Sequence, residues 1–164
     1  MCEEYFGGPP DPRIEEAGFQ IEKAMFMSAY VVRKLIENRK IEDRISTLEL
    51  ACFSSIYIGP SGSRIFGSDI KRDFDHKAKQ STLITLQRLC NELIHAKIFV
   101  NGTTREDMTL EGFWVCSDFS QDKRIVFVSF EDWKLALRMV AESSPNSVTA
   151  KRDPATGKFK IRVE

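Results

Sequence analysis

Residues 81–95 read Ser81-Thr82-Leu83-Ile84-Thr85-Leu86-Gln87-Arg88-Leu89-Cys90-Asn91-Glu92-Leu93-Ile94-His95. Leu83, Leu86, Leu89, Cys90, Leu93 and Ile94 recur at helical spacing, and a hydroxyl at Ser81 or Thr82 can accept the first free N–H groups. The stretch therefore predicts a helix capped at its start and running to about Lys97. Arg88, Asn91, Glu92 and His95 lie three, four and seven residues apart, which sets them on one face beside the leucines. Such a helix needs an apolar surface to lie on, and the flanking segments supply one.

On the N-terminal side, Leu48, Leu50, Cys52, Ser54, Ile56 and Ile58 alternate with Glu49, Ala51, Phe53, Ser55 and Tyr57, the pattern of a strand. It stops at the turn signal Gly59-Pro60-Ser61-Gly62-Ser63. Asp69 to Gln80 is polar and has room for a short helix. On the C-terminal side, Ile98-Phe99-Val100 reads as a strand entering a turn at Asn101-Gly102. Gly112–Ser117 and Ile125–Phe130 read as a hairpin rich in aromatic and branched residues. Ser129 and Asp132 approximate a capping box for a helix carrying Trp133, Ala136, Leu137 and Val140 on one face and ending near Ser143. Val148–Ala150 and Lys158–Val163 flank a turn and form a last hairpin, with Phe159, Ile161 and Val163 on one side.

Upstream, residues 13 to 38 carry a helical stripe of Ile14, Ala17, Ile21, Ala24, Met25, Ser28, Val32, Leu35 and Ile36, which is expected to face the core. A second stripe of Phe19, Phe26 and Tyr30 lies roughly opposite. Either this helix runs through the middle of the domain, or its second face meets another chain. Residues 1–12, with Gly7, Gly8, Pro9, Pro10 and Pro12, form a flexible arm on which Tyr5 and Phe6 are large apolar groups suited to docking. The fold class that follows is α+β. A long N-terminal helix and a central helix pack on a mainly antiparallel sheet, with a third, C-terminal helix, all in one domain over residues 13–164.

Composition narrows the function classes. Lysine plus arginine equals aspartate plus glutamate at 24 each, so no global field draws the chain to nucleic acid or to an anionic membrane. Two basic segments with an aromatic residue each, Lys71–Lys79 with Phe74 and Lys151–Lys160 with Phe159, keep nucleic acid as a minority reading. Cys2, Cys52, Cys90 and Cys116 form no Cys-x-x-Cys pair, so no metal site and no cofactor is expected. No apolar run approaches the length of a membrane span and no secretory leader is visible, so a cytoplasmic location is expected. The turn at Gly59–Arg64 lacks the lysine of a phosphate loop and reads as a surface turn. His76, in a charged segment, is expected to be solvated.

The central helix carries the one constellation with chemistry in it. An arginine holds a phosphate in a fork of donors, and a histidine moves protons near neutral pH. Arg88, six residues and then His95, with Asn91 between them, resembles the signature of the HEPN ribonuclease family. Leu89-Cys90-Asn91-Glu92-Leu93-Ile94-His95 also resembles a helix of short uncharacterised bacterial proteins. The first resemblance implies a metal-independent ribonuclease, or an inactive relative, that pairs two chains around one site, with Arg88 as phosphate clamp and His95 as acid and base. The structural alternative is that Asn91 and His95 satisfy backbone carbonyls while Arg88 pairs with Glu92 one turn on. The leading expectation is a small binding or interaction protein that forms a homodimer through Phe19, Phe26, Tyr30, Tyr5 and Phe6. A third reading is a small-ligand binder with a pocket lined by Phe113, Trp114, Phe127 and Trp133.

Overall fold

The computed structural model describes residues 12–59, 70–103 and 109–164. Most of the arm, including Tyr5 and Phe6, and the turn from Pro60 onward lie outside the described residues. In chain order the elements are α1 (Pro12–Glu37), α2 (Asp43–Ser46), β1 (Glu49–Ile56), α3 (Ile70–Asp73), β2 (Gln80–Thr85) and α4 (Leu86–Ile94). They continue with β3 (Ala96–Thr103), β4 (Leu110–Ser117), β5 (Arg124–Ser129), α5 (Phe130–Glu142), β6 (Val148–Arg152) and β7 (Phe159–Val163). The expected α+β architecture is present. Five strands form one sheet in the order β2-β1-β5-β4-β3, with every neighbouring pair antiparallel.

The sheet is packed unequally on its two faces. One face presents Leu50 and Cys52 of β1, Ile84 of β2, Phe113 and Val115 of β4, and Val126 and Val128 of β5. Leu86, Leu89, Cys90 and Leu93 of α4 and Trp133, Ala136 and Val140 of α5 close over that face, and α1 lies along α4 through Met25, Ala29, Val32 and Ile36. The opposite face, here the far face, has no long helix on it among the described residues. Its only buried cluster is Phe74, Cys116 and Ile125, among the described residues, where the segment after α3 crosses the strands.

Several boundaries differ from the sequence reading. Residues 80–85 are not the first turn of the central helix but the edge strand β2, paired with β1 from Gln80↔Ser54 to Thr85↔Glu49. Thr82, Ile84 and Thr85 are β-branched and suit a strand. The helix instead starts at Leu86, capped by Thr85, whose hydroxyl accepts the Arg88 N–H at 3.3 Å, and it ends at Ile94 rather than Lys97. Leu83, assigned above to the helix's apolar stripe, consequently sits 59% exposed on the far face.

Asn101-Gly102 is not a turn either, because β3 runs through it to Thr103. Gly102 faces Gly112 across the β3–β4 pair, and the Phe127 ring lies across both: an added Cβ would meet its carbons at 2.7 Å from either glycine. The glycine is there for close approach by a ring, not for a reversal. On α1, Ala17 and Ala24 of the stripe expected to face the core are exposed, whereas Ile21 is half-buried and Met25 buried.

Candidate functional site

The four aromatic residues proposed as one pocket fall on two sides of the sheet. Phe113 is fully buried on the helix side, with its ring centroid 6.4 Å from that of Trp133, and both belong to the main core. Trp114 and Phe127 lie on the far face with centroids 5.0 Å apart. Alternation along β4 separates the neighbours Phe113 and Trp114, and both faces of this strand are apolar.

Around Trp114 the far face is concave. A cleft of about 850 Å³ opens between the segment 74–79 and the end of β3, walled by Ile58, Ile70, Val100 and Trp114. Phe74, bridged to Tyr57 as an isolated antiparallel pair, anchors that segment against Cys116 and Ile125. The next turn is closed by Asp75, whose Oδ1 accepts the N–H groups of Lys77 and Ala78 at 3.0 and 3.2 Å. Lys79 then enters β2 with its ammonium 5.1 Å from the centre of the Trp114 ring, a cation–π contact.

His76 is not solvated as expected but held in the cleft wall. Its ring stands edge-on to Trp114, with centroids 4.8 Å apart. A carbonyl can only accept, so Nε2–H donates to the Ile70 carbonyl at 2.8 Å, and in the neutral ring Nδ1 is left to accept from the Ser55 hydroxyl at a long 3.4 Å. A serine bonded to an oriented histidine is the start of a nucleophilic pair. Here Ser55 is fully buried beneath the ring, so no substrate reaches it, and the pair pins His76 in place. The signal in the sequence was slight: Ser55 is a polar residue on the side of β1 that carries Phe53 and Tyr57.

The polar residues of α4 are arranged differently from the expectation. Arg88 and His95 are exposed, and His95 stands edge-on to Phe119 with centroids 5.8 Å apart. Asn91 is half-buried, and its side-chain oxygen has no hydrogen-bond partner among the described residues. Glu92 does not pair with Arg88. It turns inward to the β4–β5 turn, where its Oε2 accepts the Ser117 N–H at 2.9 Å and the Ser120 hydroxyl at 2.6 Å. Burial pushes the Glu92 carboxyl up, but the Ser120 and Ser117 hydroxyls, the Ser117 N–H and the charge of Arg124 together hold it below the ordinary value.

On α1, Phe26 is drawn into the body, edge-on to Phe99 at 5.4 Å, whereas Phe19 and Tyr30 remain 59% and 52% exposed. Met27 and Val31 are also exposed and border an aliphatic groove of about 510 Å³ between α1 and α5, with Leu35 and Leu137 in its walls.

No family model, curated protein or solved structure matches the chain. The site is therefore read from its own geometry. Among the described residues, no group of three His, Cys, Asp or Glu is placed to hold a metal ion, and no helix is long and apolar enough to cross a membrane.

Proposed function

We propose that this chain is a small binding protein whose ligand surface is the cleft around Trp114 on the far face of the sheet. One observation carries the reading: Trp114 stays only half-buried in a concave opening of about 850 Å³ while Lys79 and His76 are held against its ring. Concave, mostly apolar sites with a few fixed polar groups are the usual form of a small-molecule site, and this volume lies within their range. The α1–α5 groove is smaller and, although Ser28, Lys40 and Ser143 border it, has no aromatic ring in its walls on which a ligand could stack.

The two tryptophans give the test, because one lies on each side of the sheet. With 5-fluorotryptophan incorporated, compounds that raise the melting temperature in a metabolite-sized panel should move the Trp114 resonance and leave Trp133 in place. Trp114→Ala should abolish their effect on melting. Hits that move only Trp133, or that act undiminished on the variant, defeat the reading.

Self-association through α1 is a second reading, supported by the exposed row Phe19, Met27, Tyr30 and Val31. Light scattering at tens of micromolar should then give twice the chain mass, reduced to one by Phe19→Asp with Tyr30→Asp. These residues suit the test better than Phe26, whose loss would also disturb the contact with Phe99.

A further inference from the structure

Five polar residues border the cleft: Asn101, paired with Phe113, turns its side chain to the helix side, and for Asp75, His76, Lys77 and Lys79 the existing partners decide which are available to a ligand. Asp75 already accepts two backbone N–H groups of its own turn. Both ring nitrogens of His76 are engaged, by Ile70 and by Ser55. Lys77 and Lys79 have no carboxylate partner among the described residues. The ammonium of Lys79 rests over Trp114, at the boundary between the apolar floor and water, rather than extending away from it.

We infer that the cleft takes an amphipathic anion, with an apolar chain lying against Ile58, Ile70, Val100 and Trp114 and a carboxylate head on Lys77 and Lys79. The inference rests on the binding role proposed above and adds the chemical class. A neutral ligand would leave both ammonium groups without an anion, and a cation would meet repulsion from both. A carboxylate replaces water at each with a charge-assisted hydrogen bond. Asp75 opposes the head electrostatically, but its oxygen is turned to the backbone of its turn, and two lysines face one aspartate. The Asp75 turn fixes the backbone of Lys77, and Lys79 directly precedes β2, so both cations are presented from anchored backbone.

The probes are decanoate, decanol and decyltrimethylammonium, each titrated below its micelle concentration into the full chain carrying 5-fluorotryptophan. Decanoate should move the Trp114 resonance with Trp133 unmoved, and decyltrimethylammonium should bind at least about tenfold more weakly, the equivalent of one charge-assisted contact. In Lys77→Ala with Lys79→Ala, the ratio of decanoate to decanol affinity should fall by about tenfold or more while decanol still binds. Both substitutions are at exposed positions, and unchanged decanol binding reports that the cleft is intact. If the ratio is the same in wild type and variant, or the three head groups bind alike, the anion class is overturned and the cleft reading stands. If none of the three moves Trp114, or both resonances move together, the cleft reading falls and this inference with it.

Discussion

Glu92 and the two tryptophans carry the predictions at the scale of single residues. The Glu92 carboxylate is buried and takes two hydrogen bonds from the β4–β5 turn, so Glu92→Gln, which keeps the shape but removes the charge, should destabilise by about 1–3 kcal/mol in urea unfolding at pH 7. Its folded pKa lies below the ordinary 4.5, so its contribution is complete above that value and is lost as pH falls through the lowered one. The stability gap between wild type and Glu92→Gln should accordingly close below about pH 4.5, and a gap that persists or widens in acid would contradict the assignment. Trp133→Ala should cost about 3–5 kcal/mol, as expected for a large ring in a packed core, whereas Trp114→Ala should cost distinctly less by the same measurement. Equal losses would mean that the ring in the cleft is structural. The sequence could not separate these roles, because Phe113, Trp114, Val115 and Cys116 are apolar on both sides of β4 and alternation gives parity without saying which side the helices cover. It also misplaced Glu92, since its partners, Ser117 and Ser120, are brought near only by the fold.

At the scale of elements, long periodic segments were legible and transitions were not. α1, α5 and β1 were readable from their apolar periods, and both C-terminal hairpins from aromatic and branched residues on either side of turn signals. The step from β2 into α4 was hidden, because Leu83 continues the spacing of the α4 leucines although it belongs to a strand. Thr85 serves both elements, closing the β1–β2 ladder and capping the helix. The glycine pair under Phe127 gives the sharpest prediction here. A Cβ on Gly112 would stand 2.2 Å from the Val128 carbonyl oxygen, part of the backbone, whereas on Gly102 it meets only the end of a ring under 3 Å. Gly112→Ala should therefore lose about 1–3 kcal/mol or more, and Gly102→Ala clearly less, in parallel thermal melts. If Gly102→Ala is the worse of the two, the Phe127 ring does not lie across the pair as described.

At the scale of the whole molecule, the sheet order sets the functional reading. Placing β5 between β1 and β4 unites strands that are distant in sequence, and no local pattern predicts such a neighbour. The three long helices then close over one side, and among the described residues the segment after α3 is what crosses the opposite side, bordering the cleft. Expecting all the aromatic residues to share one pocket failed for that reason. The second stripe of α1 divides: Phe26 has a partner in Phe99 within the body, while Phe19 and Tyr30 stay outside.

Among the described residues, the β6–β7 ribbon is held to the body chiefly by the Val163 N–H to Asp43 and by the buried Val163 side chain, while the Asn146 and Ser147 N–H groups on the Glu164 carbonyl close the ribbon's own open end. Lys151 and Lys160 stand directly opposite each other along it, and every residue of β6 is exposed. Such a ribbon opens locally long before the five-stranded sheet does. Among the described residues, brief trypsin treatment should nick the chain first at Lys151, Arg152, Lys158 or Lys160, leaving Trp114 and Trp133 with their native signals. Early cleavage inside α4 or β5 instead would show that the protein loosens as a whole rather than from its last hairpin.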